Sequence, residues 1–114
     1  MKATDFSHRR LDVYRVALRY RIRVAAPLRG VTRELRIQLE RASDSVVLNI
    51  AEGAGRTRPR EKRGFYTIAR GSAFECSAAI DLLLVRGALS QPRYDELQGL
   101  LLRVVQMLSK MCAP

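Results

Sequence analysis

Residues 45–56 read SVVLNIAEGAGR, and their spacing decides the fold. Val46 and Ile50 recur at helical spacing, while Ser45, Asn49 and Glu52 fall on an adjacent polar stripe, and Gly53 and Gly55 then end the pattern. Followed backwards, the apolar stripe continues through Ala42, Leu39 and Leu35 at steps of three or four, the signature of an amphipathic helix rather than a strand. Thr32 is a residue type that caps such a helix, so the spacing predicts helix 2 from about Thr32 to Ala54.

The same reading extends to the rest of the chain. Helix 1 is expected from about His8 to Ala26, with Leu11, Tyr14, Leu18, Ile22 and Ala25 as the inward stripe and Pro27 as its limit. Helix 3 is expected from about Pro59, capped by Thr57, to Gly87, burying Phe65, Ile68, Ala69, Cys76, Ala79 and Leu83. Helix 4 follows Ser90 and Pro92, with Leu97, Leu100, Leu101, Val104, Leu108 and Met111 inward. No stretch keeps a two-residue alternation. Short links force neighbouring helices antiparallel, so the expected fold is all-α, one antiparallel up-down-up-down four-helix bundle over residues 1–114.

Polar groups near the helix 2–helix 3 seam need partners. Arg41, Ser45, Asn49 and Glu52 on one side, with Ser72 and Glu75 on the other, are expected to hydrogen-bond across it, with Arg41 or Arg70 balancing a carboxylate. Paired carboxylates beside a helix end can instead do acid–base work, which keeps Glu52 and Glu75 open as an enzyme or small-ligand site. Apolar surface also exceeds what one core needs. Ile37, Val47, Leu48 and Phe74 point away from the inward stripes, as does a second row on helix 1, Val13, Val16, Tyr20 and Val24, and self-association is expected.

The formal charge of +10 is uneven: residues 1–71 hold 17 Lys/Arg against 7 Asp/Glu, and residues 72–114 hold 4 against 4. Such an excess attracts polyanions. Arg15, Arg19 and Arg23 repeat every four residues along helix 1, and the link GRTRPREKR carries Arg56, Arg58, Arg60, Lys62 and Arg63 against Glu61. Clusters of this kind bind phosphate backbones, and these eight residues are the expected nucleic-acid contacts. Aromatics interleaved with them are sparse, so sequence-specific readout is not expected.

Other classes find less support. His8 is the single histidine, and no phosphate-cradling glycine loop, nucleophile elbow or metal-ligand spacing occurs, so no catalytic residue, metal or cofactor is expected. Cys76 and Cys112 read as separate buried thiols. No apolar run reaches the roughly 18 residues of a membrane span, and no leader-like apolar core follows the N-terminus, so a cytoplasmic location is expected.

Two segments, QLERASDSVVLNIAEGAGR and FYTIARGSAFECSAAIDLL, resemble the four-helix-bundle family of proteins encoded in intervening sequences of 23S rRNA genes. They are also similar to the accessory variability proteins of diversity-generating retroelements. The shared pattern falls on Arg41, Ala42, Ser45, Asn49, Ile50, Ala51, Glu52, Gly53, Phe65, Ala69, Gly71, Ser72 and Glu75, while Glu40 stands where the family often has a basic residue. The resemblance implies a ring, typically a homopentamer, with a basic surface. In the retroelement members it also implies binding to RNA and a reverse transcriptase. A scaffold that binds protein alone is the alternative role.

Overall fold

A short 3-10 turn, Ser7–Arg10, precedes four helices: α1 (Asp12–Val24), α2 (Arg33–Gly55), α3 (Pro59–Val85) and α4 (Gln91–Cys112). The computed structural model describes residues 6–26, 28 and 30–113, and no strand occurs among them. Pro27, expected to limit the first helix, lies outside the described residues. α2 packs on α3, α3 on α4, and α1 closes the bundle against α4 and α2, so α1 and α3 stand at opposite corners. The first helix is shorter than its sequence pattern suggests, because Leu11 is extended and separates it from the 3-10 turn.

Local chemistry fixes the helix starts. The Thr32 hydroxyl accepts from the Leu35 N–H at 3.3 Å, and Ser90 does the same for Arg93 at 3.3 Å. Each supplies a partner for one of the N–H groups a helix start leaves unpaired. Thr57 does not cap α3. Arg58 holds that position without a side-chain bond, and Pro59 follows as the first helical residue.

Leu35, Leu39, Ala42, Val46 and Ile50 are all buried, as are Leu97, Leu100, Leu101, Val104 and Leu108, while Met111 is half-buried. Two inward faces differ from expectation. On α1 the buried row is Val13, Val16, Ala17, Tyr20 and Val24, and Leu18 and Ile22 are exposed at 39% and 68%. Both rows are apolar, so hydropathy alone does not choose between them. The Tyr20 hydroxyl chooses: it lies 2.8 Å from Ser43 Oγ, which is itself 3.5 Å from Cys76 Sγ. A buried phenol needs such a partner, and α1 turns to provide it.

On α3 the face is rotated towards Tyr66, Ala69, Ala73, Cys76, Ala79, Ile80 and Leu83, leaving Phe65 half-buried and Ile68 exposed. The small residues in this row let α3 approach α2 and α4 together. Gly53 is a point of close approach. A Cβ there would lie 2.7 Å from Tyr66 Cε1 and 3.1 Å from Phe65 Cβ. The glycine of the opening motif is therefore a contact surface for the Tyr66 ring.

The α2–α3 seam holds part of the expected polar group. Ser45 Oγ and Ser72 Oγ are 2.7 Å apart, and Asn49 Nδ2 donates to the Ser45 carbonyl at 2.9 Å and its hydroxyl at 3.0 Å. The charged members stay outside. Glu52 is exposed and pairs with Arg56 at 2.8 Å, while Arg41 and Glu75 are exposed and enter none of these bonds. Arg70 turns the other way, donating to Ser109 Oγ at 2.8 Å and lying over the Phe74 ring. Two carboxylates beside open water have no reason to be drawn into a seam that would desolvate them.

Cys76 is buried and Cys112 only half-buried, 3.5 Å from the Thr67 hydroxyl. Burial pushes the Cys76 thiol up and the Tyr20 phenol well above its ordinary range. Both stay neutral.

Candidate nucleic-acid interface

Arginines at every fourth position of α1 share one flank of the helix, and bundle closure turns that flank towards α4. Arg19 and Arg23 line one recess of about 470 Å³ with Asp95, Glu96, Gly99, Leu100 and Arg103. Arg15 and Arg19 line a second, of about 300 Å³, with Asp12, Val16, Arg103 and Met107. Together they form one open groove along the α1–α4 seam, with Arg19 and Arg103 common to both halves.

The charges in this groove are partly answered. Arg15 lies 3.3 Å from Asp12 and Arg23 lies 3.8 Å from Glu96, both exposed pairs of the kind worth little in water and free to exchange for another anion. Arg19 and Arg103 have no acidic partner among the described residues. Arg103 was not among the sequence candidates. Its signal was its position between Leu100 and Met107, the side of α4 that meets α1.

The α2–α3 turn divides its basic residues between two jobs. Lys62 Nζ donates to the Gly53 and Ala54 carbonyls at 3.2 and 2.9 Å. It closes the C-terminal end of α2, where unpaired carbonyls and the helix dipole favour a cation. Lys62 is thus occupied within the fold. Arg56 is held by Glu52 and lies over the Phe65 ring, 4.8 Å from its centre. Arg58 reaches Glu61 only at 3.9 Å, and Arg60 and Arg63 have no acidic partner among the described residues.

The turn lies on the α2–α3 side, across the bundle from the α1–α4 seam. The Tyr20–Ser43 and Arg21–Asp44 contacts set an antiparallel register that brings Arg9 and Arg10 level with the end of α2. The turn arginines, Arg9, Arg10 and the mouth of the α1–α4 groove therefore share one end of the bundle.

Residues 9–110 match the family model described as 23S rRNA-intervening sequence protein. The chain belongs to that family. No curated relative matches it. In this member of the 23S rRNA-intervening sequence family, the pattern residues divide by depth: Ala42, Ile50, Gly53 and Ala69 are buried, while Arg41, Glu52, Gly71 and Glu75 face solvent.

Glu52 and Glu75 are not brought together. The Ser45–Ser72 contact and the Gly53–Tyr66 approach place Glu75 about nine residues along the bundle from Glu52, or about 13 Å at 1.5 Å per residue. That exceeds the span over which two carboxylates share one reacting group. Among the described residues, no group of three His, Cys, Asp or Glu is placed to hold a metal ion, and no helix is long and apolar enough to cross a membrane.

The expected interface residues also separate. Leu48 and Phe74 are exposed, whereas Ile37 is half-buried and Val47 packs against the core.

Proposed function

We propose that this chain is a non-enzymatic, self-associating adaptor that holds nucleic acid through its backbone, in the cytoplasm, with RNA preferred over DNA. The observation that carries the reading is the α1–α4 groove, where Arg19 and Arg103 line the same open channel without acidic partners among the described residues. That channel opens at the end of the bundle where Arg9, Arg10 and the turn arginines Arg58, Arg60 and Arg63 also lie, so a strand leaving it would cross that end to reach them. Phosphates on an extended strand could follow this path, replacing the weak pairs of Arg15 and Arg23 as they bind.

Sequence readout has little support. Neither recess of the groove is lined by an aromatic ring, and at the turn Arg56 already occupies one face of Phe65. The preference for RNA and the pentameric ring rest on the resemblance described above. A ring would repeat each weak groove about an axis and raise avidity without new contacts. A reverse transcriptase is one protein that such an adaptor could hold on RNA.

Fluorescence anisotropy with a labelled single-stranded RNA at about 50 mM salt, where charge attraction reaches beyond 10 Å, tests the proposal. Binding is expected, with log K falling by about 0.7 per log unit of salt for each phosphate neutralised. If neither RNA nor DNA binds, the charge serves solubility and the chain is a protein-only scaffold.

A further inference from the structure

Residues 6–15 read FSHRRLDVYR, with Phe6, His8 and Tyr14 set among Arg9, Arg10 and Arg15. The 3-10 turn folds this segment back on itself. The Arg9 N–H donates to the Phe6 carbonyl at 3.0 Å, and the Leu11 N–H to the His8 carbonyl at 3.1 Å. The three rings then meet. His8 and Tyr14 pack edge to face with centres 4.7 Å apart at 62°, and Phe6 stacks on His8 at 5.9 Å and 27°. Tyr14 packs against the core, His8 is half-buried and Phe6 is 53% exposed, so the ladder is anchored inside and open at its outer end. A single exposed phenylalanine is ordinary. One held in a stack has already given up the freedom that a flat ligand would otherwise have to remove.

The ladder stands between the two basic clusters. The 3-10 turn packs on both α1 and α2, and the α1–α2 register sets it at the end of the bundle that a strand crosses between the α1–α4 groove and the turn arginines. Arg9 and Arg10 are exposed and have no acidic partner among the described residues. The acids of these elements each lie beside an arginine: Asp12 by Arg15 at 3.3 Å, Glu52 by Arg56 at 2.8 Å and Glu61 by Arg58 at 3.9 Å. An open ring flanked by unanswered arginines is the combination that holds single strands, the arginines taking phosphates and the ring taking a base.

We infer that Phe6, backed by His8 and Tyr14, is a stacking platform for one unpaired base of a single-stranded nucleic acid whose backbone lies against Arg9 and Arg10. The inference rests on the nucleic-acid reading proposed above and adds to it a site that distinguishes single strands from duplexes. Every base has a π-face, so the platform tolerates any sequence. Bases inside a duplex are already stacked on one another and have no free face to offer it.

Fluorescence anisotropy at about 50 mM salt tests the inference, with a labelled oligoadenylate and a blunt RNA duplex of equal length as probes. Phe6→Ala is expected to weaken single-strand binding by about five- to 150-fold, the range for losing one stacked base. Duplex binding, the salt slope and the helical circular dichroism are expected to stay unchanged. The chain has no tryptophan, so Phe6→Trp puts a sole indole on the platform. That variant is expected to keep single-strand affinity, with its fluorescence quenched by the oligoadenylate and not by the duplex. Wild-type affinity in Phe6→Ala, an equal loss on strand and duplex, a shallower salt slope, or an indole that the strand leaves unquenched overturns the inference while the groove reading stands. A wild-type protein that binds neither probe overturns both.

Discussion

Replacing Gly53 by alanine separates close packing from helix propensity at the end of the NIAEG segment. The new Cβ would stand 2.7 and 2.9 Å from Tyr66 Cε1 and Cδ1, and 3.1 Å from Phe65 Cβ. Tyr66 is only 6% exposed, and the Phe65 atom is fixed directly to the α3 backbone, so neither neighbour can simply swing aside. Overpacking of this kind costs about 1–3 kcal/mol. Helix propensity returns up to about 1 kcal/mol, and less near a helix end. With about 0.5 kcal/mol returned by propensity, the net expectation is a loss of about 0.5–2.5 kcal/mol. Gly71→Ala is the control: an added Cβ meets nothing within 4 Å, so the monomeric fold should gain about 1 kcal/mol. Urea unfolding of both variants and of the wild-type protein, all at one protein concentration, reads the difference. A Gly53→Ala protein as stable as Gly71→Ala would refute the close approach of α2 and α3 at this point.

Lys62→Met should lose about 1–2 kcal/mol in the same assay, because two carbonyls at the end of α2 lose their donor, while Arg60→Ala should change stability little. The protein should also weaken in alkali. Burial raises the Tyr20 phenol and the Cys76 thiol above their unfolded values of about 10 and 8.5, so the unfolded chain gives up these protons first. Stability present at neutral pH should therefore fall above about pH 8.5 and more steeply above 10. A urea midpoint constant from pH 7 to about 10.5 would contradict the buried assignment of both groups.

The parts of the fold legible in the sequence are those with a single apolar stripe. α2 offers Leu35, Leu39, Ala42, Val46 and Ile50 on one side and polar residues on most of the other, so its inward face follows from spacing. α1 carries two apolar rows of similar hydropathy, and only the partner for the Tyr20 hydroxyl, contributed by a different helix, selects one. α3 misled for a related reason. Phe65 and Ile68 outweigh Ala69, Ala73 and Ala79 in hydropathy, but close packing of two neighbours favours the small residues. At the candidate site, the arginine repeat on α1 was visible, whereas Arg103 needed the α1–α4 pairing. The second job of Lys62 was hidden because a cation at a helix end has the same sequence signature as a cation on a surface.

If phosphates occupy the α1–α4 groove as proposed, Arg19 and Arg103 set the salt dependence of binding. Salt titration of RNA binding by an Arg19→Ala/Arg103→Ala variant alongside the wild-type protein reads their share. Each phosphate contact contributes about 0.7 to the log–log slope on a single strand, so losing two should make the slope shallower by about 1.4, with the melting temperature unchanged. A variant that binds RNA with the wild-type slope and affinity would place the contact elsewhere on the molecule and overturn the role of the groove.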